Sequence, residues 1–303
     1  MNKTVTILTG PTAVGKTELS IRLAERLNCP IISADSRQIY KGMPIGTAQP
    51  SPADLARVKH YLIACREPKE YYSAYEFERD SLNLIDDIFK SADNVIVTGG
   101  SMMYIDALCG LIDDIPTISD EVRQLTWEEY ESNGLEYMMS ILESLDPVYA
   151  RQVDAQNAKR VIHAVEICRQ AGKPYSELRT GSRKQRPFNI RMIVLDRPRE
   201  ELFERIGQRV DKMVEEGLVE EARALLPHRE LNSLNTVGYK EMFAYFDGAM
   251  SLDEAKEKIK RNTRVYAKKQ LTWFKKSTLY TWLPASEPTD ILIEKILNTP
   301  VIS

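Results

Sequence analysis

A run of eight residues near the start of the chain has the composition of a phosphate cradle. It reads Gly10-Pro11-Thr12-Ala13-Val14-Gly15-Lys16-Thr17 and matches the pattern G-x-x-x-x-G-K-[ST] in full. The glycines let backbone N–H groups converge on phosphate oxygens, Lys16 supplies a point charge, and Thr17 offers a hydroxyl to Mg²⁺. A chance match in a loop is the alternative, but the apolar stretch Val5–Thr9 before the run and a helical pattern after it argue against that. We therefore expect the chain to handle a phosphorylated substrate.

An acidic group follows the second apolar segment of the chain. In nucleotide hydrolases an apolar strand usually ends in an Asp that helps hold Mg²⁺ or water, but here the obvious candidate, Asn94–Thr98, leads into Gly99-Gly100-Ser101. The carboxylate lies instead at Asp35, within Ser33-Ala34-Asp35-Ser36-Arg37-Gln38. There it could hold Mg²⁺ or accept a proton from a nucleophile, and a turn or helix-cap role is the alternative. The pattern favours group transfer from a phosphorylated donor over hydrolysis.

Basic residues at helical spacing are candidate contacts for anions. Arg205 and Arg209 would share one helix face and suit a departing diphosphate; surface pairing with Glu201 or Glu204 is the alternative. Other basic positions could meet a nucleic-acid backbone or form solvated faces. They are Lys159, Arg160 and His163 in one predicted helix, and Lys260, Arg264 and Lys268 in the last long one. Val237-Gly238-Tyr239-Lys240 could be a further contact or merely the start of a helix.

Alternating strands and helices must position these groups. Strands are predicted at Val5–Thr9, Ile31–Ser33, Val95–Thr98 and Ile190–Asp196, with helices at Glu18–Leu27 and about 75–91. This alternation indicates a parallel sheet with helices on both faces and ligands at the carboxyl ends of the strands. The Gly- and Pro-rich segment Tyr40–Pro50 is predicted to be a loop, either a lid over the phosphate site or a plain surface loop.

A helical stretch interrupts this pattern. Between about 115 and 186 the strand signal disappears, and helices are predicted at Asp120–Glu131, Leu135–Leu145 and Asn157–Gln170. A basic loop at 181–187 leads back to the sheet, and two long helices are predicted to close the chain. The predicted fold class is α/β, a P-loop NTPase-like parallel sheet flanked by helices, with an all-helical insertion domain. The core would comprise 1–114 and 187–303, and the insertion 115–186.

Composition limits the kinds of partner and compartment. The net charge is -3, but the basic residues concentrate late in the chain, where 255–276 holds nine Lys or Arg against one Glu. Such a segment could present a basic surface to a polyanion. Four scattered cysteines without a CxxC pair argue against a zinc site and favour a reducing cytosol. We expect a cytoplasmic protein without signal peptide or membrane span, since Met1-Asn2-Lys3 leads directly into the first predicted strand.

Together these segments resemble the tRNA dimethylallyltransferases, also called isopentenyl-tRNA transferases, over nearly the whole chain. The phosphate loop, Ser33–Gln38, Gly99–Ser101, Arg205–Gly217, Val237–Glu241 and Ala267–Phe274 appear in the family's order. The segment Tyr40–Pro50 carries the most specific resemblance. The resemblance implies transfer of a dimethylallyl group from dimethylallyl diphosphate to N6 of the adenosine that follows the anticodon in tRNAs reading codons that begin with U. Diphosphate leaves, and Mg²⁺ assists.

The resemblance also implies a role for each matching residue. The donor's diphosphate, rather than that of ATP, would bind Gly10–Thr17 with Arg205 or Arg209, and Thr17 and Asp35 would hold the metal. Asp35 would be the base, with Lys16 and Thr17 as further catalytic groups. The partner would be the anticodon stem-loop of tRNA, contacted by a larger set: Asp35, Ser36, Arg37, Gln38, Ser101, Arg123, Lys159, Arg160, Val161, Ile162, His163, Gly238, Tyr239, Lys240 and Lys268. A monomer is expected.

Two other classes of function stay open on the sequence. One is a small-molecule or nucleotide kinase, which would use ATP as donor, although no Arg-rich lid with an adenine-clamping pattern is evident. The other is a non-enzymatic RNA-binding protein switched by ATP, which the basic last helix would suit. ATP turnover without prenyl transfer would indicate the kinase. Asp35→Ala separates a transferase from the binding protein, because an enzyme loses turnover while a binding protein keeps its affinity.

Overall fold

The computed structural model describes residues 3–113, 115–181 and 183–302. Met1, Asn2, Asp114, Ser182 and Ser303 lie outside the described residues. Three sequence-based predictions therefore fall partly outside the described residues. They are the chain start without a signal peptide, the domain limit at 114 and the basic loop at 181–187. The described chain falls into two compact units, one of residues 3–72, 79–105 and 186–302, and one of residues 73–78 and 106–185.

The larger unit contains a six-stranded parallel sheet. Its strands are β1 (Thr4–Thr9), β2 (Ile31–Ser33), β3 (His60–Tyr61), β4 (Asn94–Gly99), β5 (Asn189–Asp196) and β6 (Thr281–Pro284). They lie in the order β3-β2-β4-β1-β5-β6, and every neighbouring pair is parallel. All six residues of β1 are buried, as expected for a central strand covered on both faces. The predicted α/β class with a parallel sheet is confirmed.

Helices alternate with the strands along the chain. Those in the described residues are α1 (Lys16–Leu27), α2 (Pro52–Arg57), α3 (Ala74–Ile88), α4 (Met102–Leu108), α5 (Asp120–Leu145), α6 (Pro147–Ala150), α7 (Ala158–Ala171), α8 (Tyr175–Leu178), α9 (Arg199–Glu215), α10 (Leu218–Leu225), α11 (Tyr239–Phe246), α12 (Leu252–Phe274) and α13 (Thr289–Asn298). The predicted apolar face of α1 is confirmed, because Leu19 and Leu23 are buried in the core of the larger unit.

The smaller unit is helical over its described residues. Gly134 interrupts α5 with a φ of 80°, so the predicted break between two helices is confirmed. The side chain of Asn157 caps α7 by accepting the N–H of Arg160. Met138, Leu142 and neighbours from α6 and α7 form the core of this unit. The unit differs from the predicted insertion because it also takes in residues 73–78 and 106–113.

The sequence-based prediction is wrong at the end of the chain. Two long helices were expected to close it, but α10 and α11 lie between α9 and α12, and β6 and α13 follow. The strand β6 pairs with β5 at the edge of the sheet, and α13 packs against the core that α1 faces. Among the described residues, no helix is both long enough and apolar enough to cross a bilayer.

Candidate active site

A cavity of about 930 Å³ lies at the carboxyl ends of β1, β2 and β4 in the larger unit. Its lining comes from the phosphate loop, the turn after β2, the segment 46–48, the end of β4, and helices α9 and α12. Ligands of parallel α/β sheets bind at this edge because the loops after the strands converge there. The cavity therefore brings together the two motifs that the sequence singled out first.

The phosphate loop, Gly10–Thr17, makes a sharp turn into α1. Gly10 has a φ of 145°, and a Cβ there would lie 2.6 Å from the carbonyl oxygen of Leu195, so only glycine fits. The N–H of Val14 donates within the loop to the carbonyl of Pro11. The first N–H groups of α1, at Lys16 and Thr17, have no partner within the helix and can bind an anion. Backbone groups that could bind an anion are therefore concentrated at the last residues of the motif.

The ammonium group of Lys16 is folded onto the phosphate loop. Its Nζ donates to the carbonyl oxygens of Gly10 at 3.0 Å and Pro11 at 2.8 Å. Burial and, to a smaller extent, the nearby charge of Arg209 lower the pKa of Lys16 to about 7, although Asp35 acts in the opposite direction. An anion bound in the cavity would raise this pKa again and favour the charged form.

The two arginines of α9 reach the same loop. Arg205 donates from Nε to the carbonyl oxygen of Ala13 at 2.8 Å, and Arg209 donates from Nη1 to the hydroxyl of Thr12 at 3.2 Å. Burial lowers the pKa of Arg209, while Asp35 raises it and Arg205 lowers it. Both guanidiniums therefore lie beside the phosphate loop, as a diphosphate contact would require.

The alternative of surface pairing with glutamates on the same helix is wrong. Glu201 pairs with Arg197, and Glu204 accepts a hydrogen bond from Gln208 at 3.1 Å. Arg197 also donates from Nε to the carbonyl oxygen of Val14 at 2.8 Å, so it supports the phosphate loop from behind. Arg197 was not predicted as a site residue, because a single arginine just after a strand has no distinctive pattern.

Asp35 lies in the turn that follows β2. Its Oδ1 accepts the N–H groups of Arg37 at 2.9 Å and Gln38 at 3.3 Å, so the turn role that we considered as an alternative is present. Among the described residues, Oδ2 accepts no hydrogen bond from a protein group. The carboxylate lines the cavity near enough to Lys16 and Arg209 to shift their pKa values. One oxygen can therefore hold the turn while the other serves a ligand.

The side-chain amide of Gln38 is hydrogen-bonded inside the protein, although Gln38 also lines the cavity and stays a predicted tRNA contact. Its Oε1 accepts from the hydroxyl of Ser33 at 3.1 Å. Its Nε2 donates to the carbonyl oxygens of Thr47 at 3.2 Å and Ala48 at 2.8 Å. Gln38 thus joins the Asp35 turn to residues 40–50, hereafter the 40–50 rim.

The 40–50 rim contains turns and no regular helix or strand, as predicted. The side chain of Gln49 donates to the carbonyl oxygens of Gln38 and Tyr40, each at 2.9 Å. The Thr47 hydroxyl donates to the carbonyl oxygen of Met43 at 2.6 Å. These bonds tie the segment to the Asp35 turn, which favours a fixed rim of the cavity over a lid.

Two further predicted tRNA contacts have buried side chains. Ser101 is buried, and its hydroxyl accepts the N–H of Ser36 at 2.8 Å. Tyr239 is fully buried at the start of α11, and the contacts at both residues stay predictions. Gly238 and Lys240 line the cavity, and Lys240 is exposed.

The predicted basic stripe on α12 is only partly at the surface. Lys260 forms an ion pair with Asp211 at 3.0 Å, and the guanidinium of Arg264 lies over the ring of Phe203. Of the three residues of the stripe, Lys268 is the one classed as exposed. The stripe is therefore wrong as a continuous basic face, while Lys268 stays a predicted RNA contact.

The smaller unit carries the remaining predicted tRNA contacts. Exposed side chains at the start of α7 are those of Lys159, Arg160 and His163. The side chains of Val161 and Ile162 are buried in this unit, so a contact to tRNA at these two positions stays a prediction that only the backbone could make in this conformation. Arg123 on α5 is half-buried.

Gln270 on α12 is a site residue to which the sequence analysis gave no role. It is 1% exposed, its Oε1 accepts the N–H of Thr12 at 2.9 Å, and its Nε2 donates to the carbonyl oxygen of Gly100 at 2.9 Å. It thereby fixes the phosphate loop to the end of β4. A signal was available, because Gln270 lies on the buried face of α12 with Ala267 and Phe274.

Comparisons with known proteins agree with this geometry. A sequence model of the IPP transferase family matches residues 38–277. The chain is 56% identical over 287 residues to tRNA dimethylallyltransferase 2 of Parabacteroides distasonis, covering 95% of this chain and 96% of that protein. It is 52% identical over 289 residues to tRNA dimethylallyltransferase 1 of Bacteroides thetaiotaomicron, covering 95% and 94%.

Solved structures share the fold over almost the full length. The tRNA isopentenylpyrophosphate transferase of Bacillus halodurans has a TM-score of 0.72 and 37% identity, covering 98% of this chain and 95% of that one. A eukaryotic dimethylallyltransferase, described as acting on tRNA, has a TM-score of 0.84 and 26% identity, covering 99% and 81%. With a family match over most of its length and relatives at this level of identity, the chain belongs to the IPP transferase family.

Proposed function

We propose that this protein transfers a dimethylallyl group from dimethylallyl diphosphate to N6 of the adenosine 3′-adjacent to the anticodon, in tRNAs that read codons beginning with U. The observation that carries the proposal is one cavity in which buried cations of the phosphate loop and α9 lie near the Asp35 carboxylate. A transferase needs both groups: cations for the leaving diphosphate, and a base for the attacking nitrogen.

The donor's diphosphate would bind the N-terminus of α1. The N–H groups of Lys16 and Thr17 point out of the first helical turn, and Arg205 and Arg209 supply guanidinium groups beside them. As the bond to carbon breaks, negative charge grows on the diphosphate. Preorganised cations therefore stabilise the transition state, in which this charge is larger, more than they stabilise the ground state. Lys16 would exchange its bonds to loop carbonyls for bonds to phosphate oxygens.

Asp35 would accept the proton that the adenosine loses. In the transfer, N6 of the base forms a bond to C1 of the dimethylallyl group while the bond from C1 to the diphosphate oxygen breaks. The electron pair of that bond leaves with the diphosphate, and one N6 proton passes to the carboxylate of Asp35. N6 is a weak nucleophile, so the step is aided both by the positive character of the allylic carbon and by removal of the N6 proton.

Mg²⁺ fits the oxygen donors of the cavity. The Thr17 hydroxyl and the Asp35 carboxylate both line it, and Mg²⁺ is commonly held by one or two carboxylates with substrate phosphates and water. We propose that these two residues hold the ion. When bound, it would offset negative charge on the diphosphate.

The acceptor must leave its stack to reach this cavity. An exocyclic amine inside a stacked anticodon loop is out of reach of a recessed carboxylate, so the adenosine would be flipped into the cavity, where shielding also protects the donor from water. Lys268, Lys240 and the exposed residues of α7 would contact the RNA backbone. We further propose that the protein acts as a monomer in the cytoplasm.

The test is an incorporation assay. Purified protein is incubated with Mg²⁺, labelled dimethylallyl diphosphate and an unmodified tRNA that carries adenosine next to the anticodon. A matched tRNA carrying guanosine at that position is the control. We expect label in the first RNA alone. No incorporation, accompanied by ATP consumption in a parallel reaction, would contradict the proposal and favour a kinase.

A further inference from the structure

Glu221 on α10 grips the 40–50 rim with its carboxylate. Oε2 accepts the N–H of Ile45 at 2.8 Å, and Oε1 accepts both the N–H of Gly46 at 2.7 Å and the hydroxyl of Tyr239 at 2.7 Å. Bonds from backbone N–H groups to a carboxylate are charge-assisted and stronger than bonds between neutral groups. This three-way contact is hereafter the Glu221 clamp.

The Glu221 clamp is closely fitted. A Cβ on Gly46 would lie 2.5 Å from the hydroxyl of Tyr239, so the backbone rests directly on the phenol. Burial raises the pKa of Tyr239, and the charge of Glu221 raises it further, so the hydroxyl stays protonated and donates to the carboxylate. These contacts therefore fix the position of the rim relative to α10 and α11.

A short path of hydrogen bonds connects the clamp to Asp35. The two rim residues after Gly46 are Thr47 and Ala48, and their carbonyl oxygens accept the side-chain amide of Gln38. The backbone N–H of Gln38 in turn donates to Oδ1 of Asp35 at 3.3 Å. A shift of the rim would therefore move Gln38 and with it the turn that aims the carboxylate.

The phosphate loop is held by a different set of bonds. Its carbonyls and amide are bonded to Lys16, Arg197, Arg205 and Gln270, and none of these bonds passes through the rim. The position of the rim should therefore affect the acceptor side of the cavity and leave the donor side unchanged.

We propose that Glu221 is a positioning residue for Asp35. It does not touch substrate. Instead it fixes the position of the 40–50 rim, and the rim, through Gln38, orients the Asp35 carboxylate that takes the proton. The inference rests on the proposed function of Asp35 as the base. It adds that the accuracy of proton transfer depends on a residue of α10, 186 positions away in the sequence.

The test is a double-mutant cycle between Glu221→Ala and Asp35→Asn. The readouts are the single-turnover transfer rate and the dissociation constant for dimethylallyl diphosphate. We expect Glu221→Ala to slow transfer by about 10- to 100-fold, since a misplacement of about 1 Å can cost about 10²-fold. Donor affinity should change by less than about twofold. Glu220→Ala, at an exposed position on the same helix, is the matched control and should keep the wild-type rate.

The cycle separates positioning from general destabilisation. In the Asp35→Asn background, Glu221→Ala should slow the residual rate by less than about twofold, because there is no base left to misplace. An equal loss in both backgrounds, a wild-type rate in Glu221→Ala, or a matching loss of donor affinity would each overturn the inference. If Asp35→Asn itself transfers at the wild-type rate, the base assignment in the proposed function fails instead.

A milder variant covers the case in which Glu221→Ala does not fold. Tyr239→Phe removes one of the three bonds of the clamp and keeps the buried ring, and it should slow transfer severalfold with unchanged donor affinity. Glu221→Gln retains one acceptor and should transfer faster than Glu221→Ala. Tyr239→Phe at the wild-type rate, in a sample whose circular dichroism is native, would also overturn the inference.

Discussion

Two walls of one cavity are built by opposite means. The donor wall consists of the phosphate loop with Arg205 and Arg209; its cations donate to loop carbonyls and a hydroxyl, and among the described residues none of them pairs with a carboxylate. The acceptor wall consists of the Asp35 turn and the 40–50 rim. There the Asp35 carboxylate accepts backbone N–H groups, and hydrogen bonds from the side-chain amide of Gln38 join the turn to the rim. The donor wall therefore carries positive charge that an anionic ligand would neutralise, whereas the acceptor wall is already held in place by hydrogen bonds within the protein.

This difference has a functional consequence. Burial of unpaired cations is unfavourable, so a diphosphate that enters the donor wall supplies the missing charge and should bind strongly. The acceptor wall has little to gain in binding energy from its substrate, and its contribution lies in the placement of one carboxylate. Substitutions in the two walls should therefore affect different quantities.

The largest expected effect comes from Asp35→Asn. Asparagine keeps the size of the side chain but cannot accept the proton, so the transfer rate should fall by about 10³-fold, within the range for loss of a general base. Donor affinity should be nearly unchanged when it is measured without Mg²⁺, which Asp35 is proposed to help hold. Single-turnover incorporation measures the rate, with the exposed Asp87→Asn as control. Full activity of Asp35→Asn would remove the acceptor wall from the chemistry.

The second effect comes from Arg209→Ala. Loss of this buried guanidinium removes a contact that strengthens as diphosphate leaves, so kcat/KM for the donor should fall by about 10²-fold. Affinity for the donor should weaken as well, which calorimetric titration measures. Arg26→Ala, at an exposed position on α1, is the control and should match the wild type. Unchanged donor affinity would contradict the distinction between the walls.

A third effect concerns pH. Because the pKa of Lys16 in the free protein is about 7, the side chain is neutral above that pH and must take up a proton to meet the diphosphate. Donor affinity should therefore weaken by up to about tenfold per pH unit between pH 7.5 and 9. Lys16→Arg stays charged and should show only the ionisation of the donor itself. Equal pH profiles for the two proteins would show that Lys16 is already charged.

The smallest effect concerns RNA and salt. Lys268→Ala combined with Lys269→Ala removes two exposed charges from α12, and should reduce the slope of log affinity for tRNA against log salt by about 1 to 2. Donor affinity should stay the same, since neither side chain lines the cavity. Lys295→Ala, which lies on α13 and pairs with Glu287, is the control. An unchanged slope would show that this face does not touch RNA.

The sequence predicts the donor wall better than the acceptor wall. The phosphate loop is eight consecutive residues, and Arg205 and Arg209 are four apart on one helix, so local spacing reveals both. The supports of the walls are long-range: Glu221 meets Gly46 from 175 residues away, and Gln270 meets Thr12 from 258. Periodicity in a single sequence carries no information about such pairs.

Burial divides the predicted tRNA segments into exposed and buried residues. Val161 and Ile162 follow exposed basic residues on α7, but successive helix positions point about 100° apart, so neighbours of an exposed residue can face the core. The resemblance carried whole segments over without distinguishing the two faces. Tyr239 was included with Gly238 and Lys240 for the same reason.

Short elements explain the errors in the fold. The strands β3 and β6 have two and four residues and, unlike the equally short β2, are not buried apolar runs, so no pattern distinguishes them from a loop. The central strands β1 and β4 were predicted because each is a longer apolar run followed by glycine or by the phosphate loop. The class of the fold follows from such central elements, and its edges do not.

The most direct test measures donor affinity without Mg²⁺ and the single-turnover rate with Mg²⁺ in Asp35→Asn and Arg209→Ala. We predict that Asp35→Asn binds dimethylallyl diphosphate within about twofold of the wild type. Its rate of dimethylallyl transfer to tRNA should be lower by about 10³-fold. Arg209→Ala should bind the donor distinctly more weakly. An Asp35→Asn variant that loses donor affinity as much as Arg209→Ala, or that transfers at the wild-type rate, would contradict the division of the cavity into a donor wall and an acceptor wall.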